Sequence, residues 1–270
     1  MFDFPLDHFV YGIPAIMLAV AGAMTCQFLV KRLLGAETIK QCHEVGGYYL
    51  SIVGALYAVL LGLVVFDALG KFQDAEKTVE LEGKSALAVS AIAKQFPKSD
   101  ARIQTLVKRY LDQVIDVEWQ MMARNGASME ARQALVDLVR EILVIEPQTE
   151  NQKALFPTLS AETMTLWEKR RDRVKLSNYG LPTPEWVVLL GGAAITIVFT
   201  FFFTIDSGPI HLFMTGLVTL IISMSLYLAL LFGAPFSGDL RVSKDGLIAT
   251  RKSCGQLSQR VNVAKTPRPS

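Results

Sequence analysis

Residues 186–234 read WVVLLGGAAITIVFTFFFTIDSGPIHLFMTGLVTLIISMSLYLALLFGA, two long apolar runs joined by a short polar break. The runs cover 186–205 and 212–234. A helix of about 20 residues, rising about 1.5 Å per residue, crosses the ~30 Å hydrocarbon core of a bilayer. Gly208 and Pro209 in the break are turn residues. This stretch therefore predicts a tight hairpin of two transmembrane helices.

A second pair of apolar runs lies near the start of the chain, over 10–30 and 48–66. None of the four runs contains Asp, Glu, Lys or Arg. Proton-driven motors and ion-coupled transporters place an ionisable group inside the bilayer, where it carries the charge. The uncharged runs therefore weigh against both classes. Because no basic residue precedes the first run, we expect it to remain as a membrane anchor rather than to be cleaved as a secretion signal.

Between the two hairpins the sequence becomes amphipathic, with apolar positions at helical spacing and no long alternation of the kind that strands show. From Lys71 to Lys175 it carries 17 basic and 16 acidic residues, a balance that weighs against nucleic-acid binding. The pattern predicts an all-α membrane protein in which two transmembrane hairpins flank a helical soluble insert. The expected divisions are a first hairpin over 1–69, the insert over 70–182, a second hairpin over 183–235, and a basic tail over 236–270.

Basic residues gather at the end of the insert, which reads KRRDRVK over 169–175, and in the tail. The seven basic residues of the tail are Arg241, Lys244, Arg251, Lys252, Arg260, Lys265 and Arg268. Lys and Arg near span ends favour the cytoplasm. Since four crossings leave the insert and both termini on one side, we expect that side to be cytoplasmic, although Lys31, Arg32 and Lys40 in the first hairpin loop oppose this orientation. We also expect the tail to be solvated, so that deletion of the residues after Leu247 leaves flux and assembly intact.

No catalytic arrangement stands out in the sequence. His8, His43 and His211 each lie near a predicted membrane boundary, and Cys42, His43 and Glu44 are adjacent residues that make a poor chelate. The chain has no phosphate-binding loop and no HExxH motif. We therefore expect no catalytic residue, no metal site, no cofactor and no enzymatic activity.

The second apolar run carries small residues at every fourth position, with larger side chains on a neighbouring face. Small residues at this spacing let helix backbones approach closely, which indicates helix packing. The larger residues can instead line a narrow apolar constriction that gates by dewetting. The packing candidates are Gly54, Ala58 and Gly62. The candidate pore residues are Tyr57, Leu61 and Val65.

The fourth run carries a stripe of hydroxyl groups at Thr215, Thr219, Ser223 and Tyr227. Such a stripe either forms hydrogen bonds between helices or lines a wet path. Hydrogen bonding between helices is the simpler interpretation, and the four residues also count as pore candidates.

Two short motifs support a resemblance to a known family. Residues 110–122 read YLDQVIDVEWQMM, with Glu118–Trp119 eight positions after Tyr110, and 235–242 read PFSGDLRV. With the hairpin–insert–hairpin layout, these stretches resemble the bacterial bestrophin-like family from the first run to about Leu247. The residues that carry the resemblance are Glu118, Trp119, Pro235, Phe236 and Gly238. From the residues alone, Trp119 is expected to fill the core of the insert beside an exposed Glu118.

The resemblance implies a function as well as a fold. Bestrophins proper are pentameric anion channels with four transmembrane helices per subunit, cytoplasmic termini, and a hydrophobic neck on the second helix. The bestrophin neck sequence itself is not found in 48–66. The implied protein is a homo-oligomeric ion channel, selective for anions, in contact with the lipid of a bacterial inner membrane.

The main alternative is a non-conducting membrane scaffold whose helical insert binds a protein partner. The layout also resembles the stator-type subunits of energy-transducing complexes, but 186–205 lacks the Gly-Thr-Val type of motif expected of them. A membrane enzyme is a third and weaker hypothesis, because paired acids or a nucleophile with its base are absent from plausible positions.

Overall fold

The computed structural model describes residues 6–34, 36–178, 180–202 and 208–265, with side chains except over 34–46 and 258–265. Within these ranges the chain is helical and contains no strand, as predicted. The helices are α1 (Phe9–Leu34), α2 (Ala36–Ala93), α3 (Asp100–Asp112), a π-helix that we call the π-segment (Gln113–Glu118), α4 (Trp119–Met122), α5 (Met129–Leu143), α6 (Glu150–Ser177), α7 (Thr183–Phe201), α8 (Gly208–Gly233) and α9 (Asp245–Lys265).

Four of the described helices are long and apolar enough to cross a membrane, which confirms the predicted fold class. Their candidate spans are Phe9–Leu33, Gly47–Ala93, Thr183–Phe201 and Gly208–Gly233. The second span belongs to a helix of 58 residues, much longer than the bilayer requires. The predicted end of the third span and the first part of the turn that follows it, 203–207, lie outside the described residues.

The chain divides into two compact units, which we call the membrane unit and the soluble unit. The membrane unit consists of Met1–Phe72 and Gly180–Leu240, and the soluble unit of Gln73–Tyr179 and Arg241–Ser270. Helix α2 contributes its first part to the membrane unit and its last part to the soluble unit.

In the membrane unit, α1 and α8 pack side by side in opposite directions. A Cβ atom added at Gly12 would collide with the ring of Tyr227, and one added at Gly216 would lie 3.3 Å from Met24 Sδ. As the residue number rises along α1, that of the facing residue falls along α8, so the helices are antiparallel. Gly12 is the feature that allows this approach, because any side chain there would displace Tyr227.

The core of the soluble unit is formed mainly by the last part of α2 and by α3, α5 and α6. Two of these helices begin at a side-chain cap: Ser128 Oγ accepts from Ala131 N at 3.1 Å at the start of α5, and Thr149 Oγ1 accepts from Gln152 N at 3.2 Å at the start of α6. The fully buried apolar side chains include Ile103, Tyr110, Leu111, Leu135, Leu138, Ile142, Leu159 and Leu166.

The tail is not the solvated segment that we expected, because much of it folds as α9 within the soluble unit. Cys254 on α9 is 5% exposed, and Arg251 forms ion pairs with Asp112 at 3.2 Å and Asp116 at 2.9 Å. Lys94 Nζ donates a hydrogen bond to Leu257 O at 2.6 Å. The basic residues of the tail therefore serve partly as structural partners, which a count of charges does not reveal.

Candidate functional site

The predicted pore residues of α2 lie on the side of the helix that is packed within the subunit. Tyr57 and Leu61 are each 7% exposed and pack against Leu189, Ala193 and Ile222 of α7 and α8. The Tyr57 hydroxyl donates to Leu189 O at 3.1 Å. A pore role for these residues stays a prediction, but in this structure they hold the subunit together.

Val65 is half-buried beside the same cluster, and Gly192 of α7 makes room for the Tyr57 ring. A Cβ atom at Gly192 would collide with that ring. The contact of Tyr57 with α7 therefore depends on a position without a side chain.

The opposite side of α2 has a different character, and we call it the open face. It consists of Ile52, Leu56, Val59, Leu63 and Phe66, with exposed fractions of 60%, 68%, 64%, 65% and 74%. Their spacing alternates between four and three residues, the spacing at which helices pack against one another in coiled coils. Among the described residues nothing covers this face, so it is available to lipid, to a second subunit or to a pore.

The predicted packing stripe borders the open face. Ala58 and Gly62 are exposed, and a Cβ atom at Gly54 or Gly62 would meet no described atom within 4 Å. The stripe does not pack against the described part of its own subunit. Its role in helix packing stays a prediction, and it requires a neighbouring chain.

The hydroxyl stripe of α8 lies inside the subunit. Thr215 and Thr219 are 2% and 1% exposed, Ser223 is half-buried, and Tyr227 packs over Gly12. Thr219 Oγ1 donates to Thr215 O at 2.8 Å, a bond within the helix. The stripe therefore faces the interior of the membrane unit, and its assignment to a pore stays a prediction.

The Glu118–Trp119 motif belongs to a buried charge network in the soluble unit. Glu118 is 0% exposed and accepts from Arg170 Nη2 at 2.5 Å and from Arg173 Nη2 at 2.8 Å. It also accepts from the backbone N–H of Ser128 at 3.0 Å, at the start of α5. The expectation of an exposed Glu118 is wrong, because Arg170 and Arg173 provide the partners that allow its charge to be buried.

The network continues to α2 through Glu82. Arg173 Nε donates to Glu82 Oε2 at 2.6 Å, and the Tyr110 hydroxyl donates to Glu82 Oε1 at 2.5 Å. Burial, reinforced by the charge of Glu82, raises the pKa of Tyr110 well above its ordinary value. Burial alone would lower the pKa of Arg173, but the charge and hydrogen bonds of Glu82 outweigh it and raise that pKa. Both groups therefore stay protonated, and the two glutamates share the charge of Arg173.

Trp119 lines the network. The Arg173 guanidinium lies 5.8 Å from the centre of the Trp119 ring, within the range of a cation–π contact, and Trp119 is 5% exposed. The prediction of a core tryptophan therefore agrees with the structure. The sequence signal that could have revealed the network is the pair Arg170 and Arg173, which lie three residues apart on the buried face of α6. The charge pattern alone assigns both to the basic cluster over 169–175 that favours a cytoplasmic insert.

The second motif, PFSGDLRV, attaches the chain after α8 to the start of α1. Gly238 has a φ of +70°, and a Cβ atom there would collide with the carbonyl oxygen of Asp7. Asp239 Oδ2 accepts from the Phe9 backbone N–H at 2.7 Å, and its Oδ1 lies 2.8 Å from His8 Nδ1. Asp239 thus caps α1 from a distant part of the chain, and Gly238 allows the close approach.

Pro235 and Phe236 precede this contact. Both are buried, and α8 ends at Gly233, directly before them. Glu118, Trp119 and Gly238 thus make close contacts within one unit or the other, and Pro235 and Phe236 are buried.

No group of three or more metal-binding side chains occurs among the described residues. Cys42, His43 and Glu44 lie outside the residues whose side chains the structure describes.

Comparison with known proteins gives a family and a fold. The family model described as Bestrophin-like domain matches residues 17–247. The chain is similar to a crystal structure of a bacterial bestrophin homologue from Klebsiella pneumoniae with a point mutation, with a TM-score of 0.69 and 11% identity over 90% of this chain and 98% of that one.

Two further crystal structures show the same likeness in fold. A second variant of the Klebsiella pneumoniae homologue has a TM-score of 0.70 and 10% identity over 92% of this chain and 98% of that one. A structure described as a membrane protein has a TM-score of 0.70 and 11% identity over 90% of this chain and 98% of that one. No curated protein matches the chain.

Proposed function

Because the chain belongs to the bestrophin-like family, we propose that it is a subunit of an oligomeric, anion-selective channel whose pore is lined by α2. Known members of the family are oligomeric anion channels. A subunit with four spans cannot enclose a pore alone, so the proposal requires several copies. It assigns the protein no enzymatic activity.

The observation that carries the proposal is the open face of α2. One side of this helix is packed through Tyr57 and Leu61, whereas the open face, from Ile52 to Phe66, has no cover in the described part of the subunit. Lipid alone would satisfy an apolar face. However, exposed small residues beside it, Ala58 and Gly62, are typical of close contact between membrane helices.

The open face and the packing stripe beside it together suggest how the copies are arranged. Neighbouring residues on a helix point about 100° apart, so Ala58 and Gly62 lie to one side of Val59 and Leu63. If small residues contact the adjacent α2, the larger residues turn toward the axis of the oligomer. A ring of such side chains forms a hydrophobic constriction, which gates by dewetting.

The experiment that tests the proposal is ion flux from liposomes that contain the purified protein, followed by planar-bilayer recording under a salt gradient. Single-channel steps that reverse near the chloride potential are expected. Steps that reverse near a cation potential would retain the pore and overturn the anion selectivity. Silence from folded, oriented and oligomeric protein would overturn the channel function.

We further propose that the protein lies in a bacterial inner membrane with the insert and both termini in the cytoplasm. The exposed Arg171 and half-buried Lys169 near the end of the insert support this orientation. Arg170 and Arg173 are engaged with Glu118, but they act on topology before the insert has folded. Labelling of single cysteines at the insert and at the tail from either side of intact cells tests the orientation, and labelling from outside would contradict it.

The second candidate is a scaffold whose insert binds a protein partner. A surface cleft of about 420 Å³ lies between the end of α2 and the α5–α6 loop, lined in part by Phe96, Pro97 and Val144. Val144 and the adjacent Leu143 are 73% and 65% exposed. Silent bilayers together with a partner whose binding is lost in Val144→Asp would favour this function.

A further inference from the structure

The start of α1 is joined to the segment after α8 through a single carboxylate. Asp239 Oδ2 accepts from the Phe9 N–H at 2.7 Å, and the Asp239 N–H donates to Asp7 O at 3.2 Å. The first turn of the helix then closes on the His8 carbonyl, which accepts from the Gly12 N–H at 2.9 Å. The order of this turn therefore depends on a group that lies 230 residues away in the chain.

The same carboxylate also binds the ring of His8. Asp239 Oδ1 lies 2.8 Å from His8 Nδ1. Because a carboxylate oxygen only accepts, Nδ1 carries the hydrogen and donates it, so the neutral ring already makes this bond. A second proton enters at Nε2 and makes the ring positive without breaking the bond. The contact then joins two opposite charges, and its attraction increases.

The described charges around His8 favour this second proton. Asp239 is in contact with the ring, and both Asp7 and Asp239 act electrostatically on the Tyr227 hydroxyl, which places two carboxylates at this end of α8. Tyrosine does not titrate below about pH 9. The N-terminus of α1 opposes a cation, but it is equivalent to only about half a charge. The full charge of Asp239, in direct contact, outweighs it.

We propose that His8 and Asp239 form a clamp between α1 and residues 235–240 that protonation of His8 strengthens. Histidine ordinarily changes its charge between about pH 5 and pH 8, and aspartate near about pH 4. Between these two ranges the pair carries both charges, so the clamp is strongest at about pH 5–6. It weakens as the pH rises and His8 loses its charge, and it weakens again when acid neutralises Asp239.

The clamp lies beside a backbone contact that needs support. Gly238 has a φ of +70°, and a Cβ atom there would collide with Asp7 O. Such a close approach persists only where neighbouring contacts hold it, and Asp239 is the next residue. Because the His8 side chain is 46% exposed, the clamp responds to the pH of the surrounding solution. That this solution is the cytoplasm rests on the proposed orientation, whereas the clamp itself does not.

Hydrogen–deuterium exchange on the full-length protein in detergent tests the clamp. The readout is the protection of the amides of Phe9, Tyr11 and Gly12, measured against the exchange rate of an unstructured chain at the same pH. Protection should be about threefold higher at about pH 5.5 than at about pH 8, the size expected of a partly exposed ion pair. The amides of 135–142 in the soluble unit are the internal reference. Equal protection of the α1 amides at the two pH values would overturn the proposal.

Two substitutions at His8 separate the charge from the hydrogen bond. His8→Lys is charged at both pH values and should keep the higher protection at about pH 8. His8→Gln can donate a hydrogen bond but carries no charge, so it should show the lower protection at both. A threefold pH dependence that persists in either variant would assign the titration to another group and overturn the proposal.

The matched control is Asp7→Asn, which removes a neighbouring carboxylate and leaves His8 and Asp239 in place. It should retain the pH dependence of the unmodified protein. A loss as complete as that in His8→Gln would assign the response to Asp7 and overturn the clamp. Because none of these measurements requires ion flux, a silent protein with the expected exchange retains the clamp and loses the channel function.

Discussion

Arg173 and Glu82 form an ion pair with an Nε–Oε2 distance of 2.6 Å, and neither side chain is exposed to solvent. The pair joins α6 to α2 and shares its cation with Glu118. A buried pair of this kind adds little stability by itself, because both ions have lost their hydration. Removal of one partner is nevertheless severe, since it leaves the other charge buried and uncompensated.

Arg173→Met should therefore lower the free energy of unfolding by about 3–5 kcal/mol. The double variant Glu82→Gln/Arg173→Met should recover part of this loss, because it leaves fewer unpaired charges. Thermal unfolding of the purified protein measures both. Lys84→Met, which breaks the exposed pair with Glu80, is the control and should leave the unfolding temperature unchanged. Similar effects of the Arg173 and Lys84 variants would contradict the role of the network.

Tyr110 makes the stability of the soluble unit sensitive to alkaline pH. Its pKa is raised in the folded protein by burial and by Glu82. Above about pH 10 an unfolded tyrosine loses its proton while Tyr110 keeps it. The native state then binds more protons than the unfolded state, so stability falls as pH rises through this window.

Unfolding by denaturant between about pH 9 and pH 11 tests this behaviour. Tyr110→Phe should be less stable at neutral pH, since it loses the hydrogen bond to Glu82, and its stability should decline less steeply toward pH 11. Equal slopes in the two proteins would exclude Tyr110 as the titrating group.

Gly238→Ala tests the attachment of the PFSGDLRV motif to α1. The φ of +70° and the close carbonyl of Asp7 leave no space for a methyl group. We expect a loss of at least about 1–3 kcal/mol in stability, from backbone strain and displacement of the Asp239 cap. Gly246→Ala is the matched control, because a Cβ atom there meets no described atom within 4 Å. An alanine tolerated equally at both positions would show that the approach of Asp7 is not required.

Truncation after Leu247 now has a different expected outcome from the one that a solvated tail implies. It removes Arg251, Cys254 and the carbonyl of Leu257 that binds Lys94. The truncated protein should unfold at a lower temperature and exchange faster over α3, even if it still assembles. Unchanged exchange over α3 would restore the view of the tail as a topological signal.

Some features of this structure could be predicted from the sequence, and others could not. An uncharged run of about 20 apolar residues has few stable environments other than a bilayer, so the four spans and the helical insert were predictable. The burial of Glu118 was not, because Arg170 lies 52 residues away in the chain and no periodic pattern connects them. The π-segment was also hidden, since a single additional residue barely changes the spacing of the apolar positions around it.

Two leucines on opposite sides of α2 distinguish the proposed pore from the alternative. Leu63 lies on the open face at 65% exposure, and Leu61 is buried at 7% against α7 and α8. Leu63→Ala should alter single-channel conductance or gating with little change in stability, because it widens a constriction without leaving a cavity in the subunit.

Leu61→Ala should instead destabilise the subunit by about 2–5 kcal/mol, the usual cost of a cavity at a buried leucine. Planar-bilayer recording and thermal unfolding of both variants provide the comparison. If Leu61→Ala changes the conductance without changing the stability, and Leu63→Ala leaves both unchanged, the pore runs along the side of Tyr57 and Leu61. The open face would then contact lipid or a neighbouring subunit.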